Sequence, residues 1–519
     1  MLKLDRSKSN QKKLMTKWVP ESVLLDHYSY LPCDTIFLSP VGVTTMKPAF
    51  DSYDILIVGA GPAGIFTAFE AKQYNPAARI LMIEKGNSIE KRKCPKRKTG
   101  VCADCDPCAI TTGFSGSGSF SDGKLSISYD GEVGGDLIKY IGAEPFRRLL
   151  EYTDNLYLGF GADPEVHGID MDGTVDIIRR KAAQSHLKLI ESGVRHMGTE
   201  KAYEIYARIQ KALEALQIEM CFRTVVSDFL VETDEKGKKR ITGVLTDEGN
   251  QVLADKVVVA IGREGSEWLN NMCKKYGIVS RNGQVDIGVR VETDAGVTYD
   301  IDSTLYEAKL VYYTKTFEDR VRTFCWNPRG EVSEERYGNL AVVNGHSYKD
   351  QALKTSNTNF ALLVSKSFTE PFKTPIEYGR YIAELGNMLS GGKVLVQRYG
   401  DLKRGRRSTT SRVAKNIIQP TLKDAVAGDL SLVLPYRIMI DVIETLEALE
   451  NIMPGIASDS TLLYGVEVKF YSNRIVIDSN FETNVQNLHV LGDGAGLTRG
   501  LMQASMNGVS MGRMLTGNW

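Results

Sequence analysis

The clearest pattern of apolar and polar positions lies over 54–84, DILIVGAGPAGIFTAFEAKQYNPAARILMIE. This segment begins and ends with an apolar run that predicts a buried strand, and between the two runs a helix is predicted to start near Pro62. Gly59, Gly61 and Gly64 place G-x-G-x-x-G at the turn from the first strand into the helix. The spacing predicts a dinucleotide-binding βαβ unit, with an ordinary structural βαβ crossover as the alternative.

Each glycine of this turn has a physical role in the predicted unit. Gly59 permits the tight turn, Gly61 lets the backbone approach a pyrophosphate, and Gly64 lets helix and strand pack closely. The helix N-terminus offers unpaired N–H groups and the positive end of its dipole to the phosphates. Glu84 ends the second strand about twenty residues beyond the glycines, where a carboxylate accepts hydrogen bonds from a ribose diol.

The patterns of the remaining sequence divide it into helical and strand-rich parts. Apolar residues at helical spacing in VDIIRRKAAQSHLKLIESG (175–193) and TEKAYEIYARIQKALEAL (199–216) predict helices. Runs of strand-forming residues predict a meander over 218–261 and further strands after 285, with a helix near 375–389. The predicted segments are an N-terminal extension lying as an arm on the main body (1–50), the first part of a nucleotide-binding domain (51–130), a helical segment covering its sheet (131–216), the second part of that domain (217–284), an inserted substrate domain (285–460) and the C-terminal part of the nucleotide-binding domain (461–519).

A loop rich in small residues, GFSGSGSFSDGKL, follows over 113–125. Gly116, Gly118 and Ser119 offer backbone N–H groups and a hydroxyl without bulk, which suits contact with a pyrophosphate or a ribityl chain. A flexible linker is the alternative, although the flanking aromatic residues favour an anchored loop.

A second glycine-rich segment, LHVLGDGAGLTRGLM, lies near the C-terminus. A predicted strand leads into Gly492 and Asp493, and the Asp493 carboxylate is a candidate acceptor for a ribityl hydroxyl. A helix is predicted to begin near Gly500. The N–H groups of its first turn, at Leu501 and Met502, would face a developing anion.

Four cysteines cluster in one loop with the spacing C-x7-C-x2-C-x2-C, at Cys94, Cys102, Cys105 and Cys108. The close triplet suits one metal ion or cluster, such as zinc or an iron–sulfur cluster. The spacing lacks the paired C-x2-C motifs of common zinc modules, so reduced or redox-active thiols are the alternative.

Composition narrows the class of protein. The 519 residues are 42% hydrophobic and 25% charged, with 64 basic and 64 acidic residues, which predicts a soluble globular protein without nucleic-acid partners. No apolar run reaches the roughly eighteen residues that a membrane span needs. The basic, polar N-terminus does not resemble a secretory signal, and the few cysteines favour a reducing compartment. We therefore expect a cytoplasmic protein.

Taken together, the sequence resembles the glutathione-reductase-like class of FAD proteins in three places: the N-terminal fingerprint, Ala260–Gly262 and Gly492-Asp493. More narrowly, it resembles the FAD-dependent dehydrogenase family known as NAD(FAD)-utilizing dehydrogenases, through GGAGxFSDGKL-like and GDGAGxxRGxxQA-like segments. Serines at 115, 117 and 119 depart from the first of these while keeping the loop small. The resemblance implies an α/β fold, with a Rossmann-like FAD-binding domain and an inserted α+β substrate domain.

The resemblance also implies which residues contact the cofactor. Different residues would contact the pyrophosphate, the adenosine ribose, the adenine and the ribityl chain of FAD, and the flavin pyrimidine would lie over the last helix. The implied FAD-binding residues are Gly59, Gly61, Pro62, Ala63, Gly64, Glu84, Lys85, Gly116, Gly118, Ser119, Val226, Gly262, Gly492, Asp493, Gly500, Leu501 and Met502.

The function predicted from this resemblance is an FAD-dependent oxidoreductase that transfers a hydride between an organic small molecule and flavin N5. Arg499, in the turn that should face the flavin ring, and the weaker candidate His346 are the predicted catalytic residues. NADH or NADPH would dock only transiently, since a second G-x-G-x-x-G is missing from the sequence. The alternatives are a flavin monooxygenase, or a non-enzymatic flavoprotein that uses the cysteine cluster for electron transfer to a partner or for redox sensing.

Overall fold

The computed structural model describes residues 49–95, 103, 105–120, 123–129, 133–170, 173–281, 283–337, 339–348, 350–368, 372, 375–470 and 473–519. Nearly all of the predicted N-terminal extension, and Cys102 of the cysteine cluster, lie outside these ranges. Across the described ranges, no helix combines the length and the apolar character needed to cross a bilayer.

Strands and helices are numbered separately in chain order. The strands are β1 Ser52–Val58, β2 Ile80–Glu84, β3 Lys124–Ile127, β4 Leu187–Leu189, β5 Gly193–His196, β6 Glu219–Phe222, β7 Val226–Thr233, β8 Lys239–Thr246, β9 Gln251–Val259, β10 Ser280–Arg281, β11 Val285–Asp294, β12 Leu310–Tyr313, β13 Arg320–Asn327, β14 Glu331–Tyr337, β15 Leu340–His346, β16 Asn357–Lys366, β17 Leu395–Arg398, β18 Val426–Ala427, β19 Leu462–Phe470, β20 Arg474–Ile475 and β21 Leu488–Val490. The α-helices are α1 Pro62–Tyr74, α2 Ile138–Ile141, α3 Ala143–Gly159, α4 Thr174–Gln184, α5 Thr199–Ala215, α6 Ser266–Tyr276, α7 Ala295–Leu305, α8 Pro375–Ser390, α9 Tyr399–Lys403, α10 Thr410–Ala414, α11 Tyr436–Leu449 and α12 Leu501–Leu515.

The first sheet has the order β6-β2-β1-β9-β8-β7, and β21 pairs with β9. Strands β6, β2, β1, β9 and β21 are parallel, whereas β7 and β8 are antiparallel. The predicted strand, helix and strand over 54–84 are confirmed as β1, α1 and β2. Because β1, β9 and β21 run in the same direction, the turns that follow them meet at one edge of the sheet.

Helix α12 packs along α1, and Gly508 and Gly512 of α12 allow the two backbones to touch. A methyl group at Gly512 would lie 2.8 Å from the backbone nitrogen of Ala71. At the far end of the pair, the Arg513 guanidinium donates to the buried Glu70 carboxylate at 2.7 Å, and the Tyr152 hydroxyl donates to its other oxygen at 2.9 Å. These contacts hold the two helices in one register, so their N-termini open towards the same side.

The second sheet has the order β18-β17-β19-β11-β16-β13-β12-β4. Alternate residues of β11 point to opposite faces, so the buried Val285, Ile287 and Val289 lie on the apolar face that α8 and α11 cover. Asp286 and Arg290 lie on the other face, which is polar. A charged sheet face that turns inward needs internal partners or a ligand.

Two sequence predictions differ from the structure. The helix predicted over 175–193 ends at Gln184, because His186 takes a left-handed conformation at φ 58°, and the next residues form β4 and β5. Strand β4 joins the second sheet through β12. Strand β19 also belongs to the second sheet, although the prediction assigned residues after 460 to the nucleotide-binding domain. The predicted helices at 199–216 and 375–389 are confirmed as α5 and α8.

Candidate functional site

A cavity of about 1100 Å³ lies between the carboxyl edge of the first sheet and the polar face of the second. Its walls are formed by the turns after β1 and β9, the first turn of α12 and strands β12 and β13. Most of the cofactor residues expected from the sequence lie on these walls: Gly59, Gly61, Pro62, Ala63, Glu84, Lys85, Gly116, Val226, Gly262, Gly492, Asp493, Gly500, Leu501 and Met502.

The glycine turn after β1 is shaped by close backbone contacts on one side and by open space on the other. Gly59 has φ +101°, and a methyl group there would lie 2.6 Å from the carbonyl oxygen of Ala260. A methyl group at Gly64 would lie 2.1 Å from the carbonyl oxygen of Gly59, so helix and strand touch there. At Gly61, by contrast, the nearest atom would be the Ala260 oxygen at 3.8 Å. A side chain at 61 would therefore fill cavity space, which fits a site for a pyrophosphate.

The Glu84 carboxylate fastens this turn to the loop over 113–125. One oxygen accepts from the backbone N–H of Ala60 at 2.9 Å, and the other accepts from Gly86 at 2.8 Å and Gly113 at 3.0 Å. A carboxylate has about four acceptor positions, so one remains for a ribose hydroxyl. Glu84 thus shapes the site as well as lining it.

At the other end of the cavity, Asp493 follows β21 within a charged and hydrogen-bonded group. The Thr498 hydroxyl donates to one carboxylate oxygen at 2.6 Å, and the Nε of Arg263 lies 3.6 Å from the other. Burial raises the pKa of Asp493, and Arg263 opposes this shift. The Asp493 side chain retains acceptor capacity toward a sugar hydroxyl within the cavity.

The predicted catalytic residue Arg499 lies on the cavity wall, whereas His346 does not. The backbone N–H of Arg499 donates to the carbonyl oxygen of Gly134 at 2.6 Å, which fixes the turn before α12. His346 ends β15 opposite Glu331, in the two-stranded sheet that β14 and β15 form.

Gly118 and Ser119, also expected to contact the cofactor, do not reach the cavity. The Ser119 hydroxyl is buried and accepts from the Ser115 hydroxyl at 2.6 Å and from Arg92 at 3.3 Å. A methyl group at Gly118 would lie 2.9 Å from the Tyr206 hydroxyl. Both residues therefore stabilise the loop on the side that faces away from the cavity. Their small side chains are needed for close packing there.

Arg92 organises this loop, and sequence reasoning missed it. Arg92 as a whole residue is 3% exposed. Its guanidinium donates to the carbonyl oxygens of Ala109, Phe114 and Gly116, among others. In the sequence Arg92 sits within a basic run that is typical of a solvated loop. Nothing within the run separates this buried arginine from its exposed neighbours, because its hydrogen-bond partners lie more than fifteen residues along the chain.

The predicted metal ligands do not meet in the part of the chain that the structure describes. Within it, no group of three or more His, Cys, Asp or Glu side chains is arranged to hold a metal ion. Cys94, Cys105 and Cys108 are free cysteines away from the cavity wall, and Cys102 lies outside the described residues.

The wall that comes from the second sheet was not identified from the sequence. Its charged and polar members are Glu307, Lys309, Arg320, Arg322, Thr323 and Cys325. Lys124 joins them from β3, and Glu335 and Tyr337 join them from β14, which pairs with β15 in a separate two-stranded sheet. The Glu335 carboxylate accepts from the Tyr337 hydroxyl at 3.1 Å and from the Asn344 amide at 2.9 Å. Burial acts to raise the pKa of Glu335, but the charges of Lys469 and Arg263, together with these two hydrogen bonds, outweigh it and lower that pKa.

Two family models match parts of the chain. Residues 176–297 match the pyridine nucleotide-disulphide oxidoreductases, and residues 284–470 match the FAD-dependent protein, C-terminal domain-like family. No curated relative matches the sequence.

Several solved structures are similar at low identity. L-proline dehydrogenase from P. horikoshii is 11% identical, with a TM-score of 0.38 over 90% of this chain and 94% of that one. Glycine oxidase from Geobacillus kaustophilus is 11% identical, with a TM-score of 0.37 over 90% and 95%. L-amino acid deaminase from Proteus vulgaris is 12% identical, with a TM-score of 0.36 over 92% and 96%. These scores are too low to add to the assignment. On the two family matches, the chain is an FAD-dependent oxidoreductase with a mixed α/β fold.

Proposed function

We propose that the cavity binds one FAD in the manner of the glutathione-reductase-like flavoproteins, and that the protein transfers a hydride between an organic substrate and flavin N5. The observation that carries this proposal is the meeting of two helix N-termini on one cavity. Gly61 and Pro62 at the start of α1 and Gly500 and Leu501 at the start of α12 all line it. Each terminus presents unpaired N–H groups and a positive dipole end.

The two termini suit different parts of the cofactor. The start of α1 lies beside the open space at Gly61, where N–H groups would stabilise the phosphates. The last acceptor position of Glu84 would take a ribose hydroxyl. Val226 and Trp268 line the same end of the cavity and would enclose the adenine. The ion pair between Lys85 and Glu264, at 2.5 Å, joins the turns after β2 and β9 at this end.

The start of α12 would serve the flavin end. Asp493 would accept from a ribityl hydroxyl, and the N–H groups of Leu501 and Met502 would stabilise negative charge beside the pyrimidine. Arg499 would contact the substrate or the flavin at this end and would add a positive charge there. When bound, FAD supplies a two-electron acceptor and donor for hydride.

The protein's own contribution is to orient the substrate and to exclude water. Strands β12 and β13 of the second sheet line the same cavity as the glycine turn, so a substrate held on that wall would share the cavity with the flavin and lose part of its contact with water. NADH or NADPH remains our proposed transient donor. A metal or an iron–sulfur cluster at the cysteine loop remains a proposal that involves Cys102.

The test is the absorption spectrum of purified protein, with the FAD content of the same sample, before and after anaerobic addition of NADPH and then NADH. Flavin bands that one nucleotide bleaches would support a nicotinamide-coupled reductase. Flavin bands that ignore both would indicate a substrate-driven dehydrogenase. Protein that cannot be reconstituted with FAD would contradict the proposal.

A further inference from the structure

We propose that a cluster of basic side chains on the second-sheet wall binds the carboxylate of an organic acid, which is the substrate. The cluster consists of Lys124, Lys309, Arg320 and Arg322, and we call it the cationic wall. This inference rests on the proposed function, because it names the chemical class of the substrate that reacts in the same cavity.

Strand register places three members of the cationic wall on one face of the second sheet, spread along β13. Arg320 and Arg322 are two residues apart in β13, so their side chains leave the same face of the sheet. Val311 of β12 pairs with Arg322, which places Lys309, two residues before Val311, on that face as well. Lys124 arrives from β3, and its ammonium donates to the carbonyl oxygen of Trp326 at the end of β13.

Three of these cations, Lys124, Lys309 and Arg322, lie close enough to repel one another, and Lys309 is largely buried. The Lys309 side chain is only 15% exposed, and its Nζ lies 3.7 Å from Oε2 of Glu307 and 3.3 Å from the Ser126 hydroxyl. Burial lowers the pKa of Lys309, and the charges of Lys124 and Arg322 lower it further even though Glu307 opposes them. A bound anion would relieve this repulsion, so the wall favours negatively charged ligands.

Arg320 has donors to spare for such a ligand. The neighbouring Arg322 donates to Asp286 at 2.6 Å, which is 1% exposed. Arg320, by contrast, forms no ion pair with any residue of the described ranges, although it lines the cavity. A guanidinium presents a planar fork that matches a carboxylate with two parallel hydrogen bonds.

The surroundings favour a carboxylate over a phosphate. Glu307 and Asp286 pair with Lys309 and Arg322 and offset two of the four positive charges, so the wall attracts a phosphate dianion less strongly than four unpaired cations would. Leu310, Val311 and Phe324 line the cavity beside the cations. The ligand therefore combines one carboxylate with an apolar body.

The experiment is isothermal titration calorimetry of the full-length protein with benzoate and isovalerate, each compared with its neutral carboxamide at constant ionic strength. Wild-type protein should bind the acids at least about tenfold more tightly than the amides, since a charge-assisted hydrogen bond contributes about that much. Arg320→Met and Lys309→Met should each weaken acid binding by about tenfold or more, and Arg320→Lys should recover part of the loss. Lys315→Met, an exposed cation in the β12–β13 turn that does not line the cavity, is the matched control and should leave binding unchanged.

Calorimetry does not require flavin, so this test separates the two proposals. Protein that contains FAD but binds neither acid would overturn the carboxylate site alone. Equal binding of acids and amides, an unchanged affinity in Arg320→Met, or tighter binding of inorganic phosphate than of both acids would overturn it too. Acid binding by protein that cannot take up FAD would overturn the proposed function and leave the anion site standing.

Discussion

A methyl group at Gly508 would lie 2.3 Å from the carbonyl oxygen of Ala63, so helices α12 and α1 touch backbone to backbone at this point. Gly508→Ala must therefore push the helices apart. We expect a loss of about 1–3 kcal/mol in the free energy of unfolding, as for other overpacked sites. FAD content should also fall, because both helix N-termini line the same cavity. Thermal unfolding and the FAD-to-protein ratio measure the two effects.

The matched control for this change is Gly386→Ala in α8. A methyl group there would meet only the Val466 side chain, at 3.3 Å, and the Val433 side chain, at 3.5 Å. Because side-chain methyl groups can yield and alanine favours a helix by about 1 kcal/mol over glycine, stability should change little. Gly386→Ala should unfold at about the same temperature as wild type. If Gly508→Ala does so too, the prediction that α12 and α1 touch backbone to backbone at Gly508 is wrong.

The glycine turn allows cofactor binding and folding to be separated by one pair of variants. Gly61→Ala adds a methyl group that meets no protein atom closer than 3.8 Å, so the apoprotein should unfold as wild type does while FAD affinity falls by about tenfold or more. Gly64→Ala adds a methyl group 2.1 Å from the Gly59 oxygen, so the apoprotein itself should be destabilised. Thermal unfolding of FAD-free protein, followed by fluorescence titration with FAD, distinguishes them. Unimpaired FAD binding by Gly61→Ala would contradict a pyrophosphate at this turn.

The sequence carried enough information for this turn because its signals are local. Strand, glycines, helix and second strand occupy one continuous stretch, and each residue type is required by the backbone of its own segment. Helix α1 and its flanking strands were therefore predictable. The strand β4 was not, because Leu187 and Leu189 find their partners in β12, more than 120 residues along the chain.

The same reasoning explains which parts of the candidate site were missed. Lys309 comes close to Arg322 only because β12 pairs with β13, with Val311 opposite Arg322, and no spacing in the sequence reveals it. Ser119 was predicted to face the cofactor because small residues suit such loops. Its hydroxyl turns away because Arg92 and Ser115 offer it buried hydrogen bonds. Local composition thus indicated a compact loop without fixing which of its atoms line the cavity.

The polar face of the second sheet depends on a fully buried ion pair. Arg290 donates to both carboxylate oxygens of Glu467 at 2.8 Å, and both side chains are 0% exposed. Arg290→Met leaves that carboxylate with Lys469, at 3.0 Å, as its remaining ion-pair partner in the described part of the chain. We expect a loss of about 3–5 kcal/mol in the free energy of unfolding, measured by urea denaturation.

A double variant separates the charge from the packing of this pair. Arg290→Met with Glu467→Gln removes both charges, so much of the stability lost in the single variant should return. A double variant as unstable as Arg290→Met alone would show that the arginine acts through its shape and its other hydrogen bonds, including the one to Asn359 at 2.9 Å.

The Asp441 carboxylate, under the apolar face of the second sheet, predicts a pH dependence of stability. Burial raises the pKa of Asp441 to about 6, and the nearby Asp319 carboxylate adds to the shift, although the Thr314 hydroxyl donates to Asp441 at 2.8 Å. The unfolded chain releases this proton near pH 4. The stabilisation is therefore complete below about pH 4 and is lost as the pH rises through about 6, a change of about 1–2 kcal/mol. Asp441→Asn should remove this loss and raise the unfolding temperature at pH 8, whereas Asp300→Asn, at an exposed position of α7, should leave the wild-type profile intact. Thermal unfolding between pH 4 and pH 8 measures all three proteins, and an Asp441→Asn profile parallel to that of wild type would assign the pH dependence to other groups.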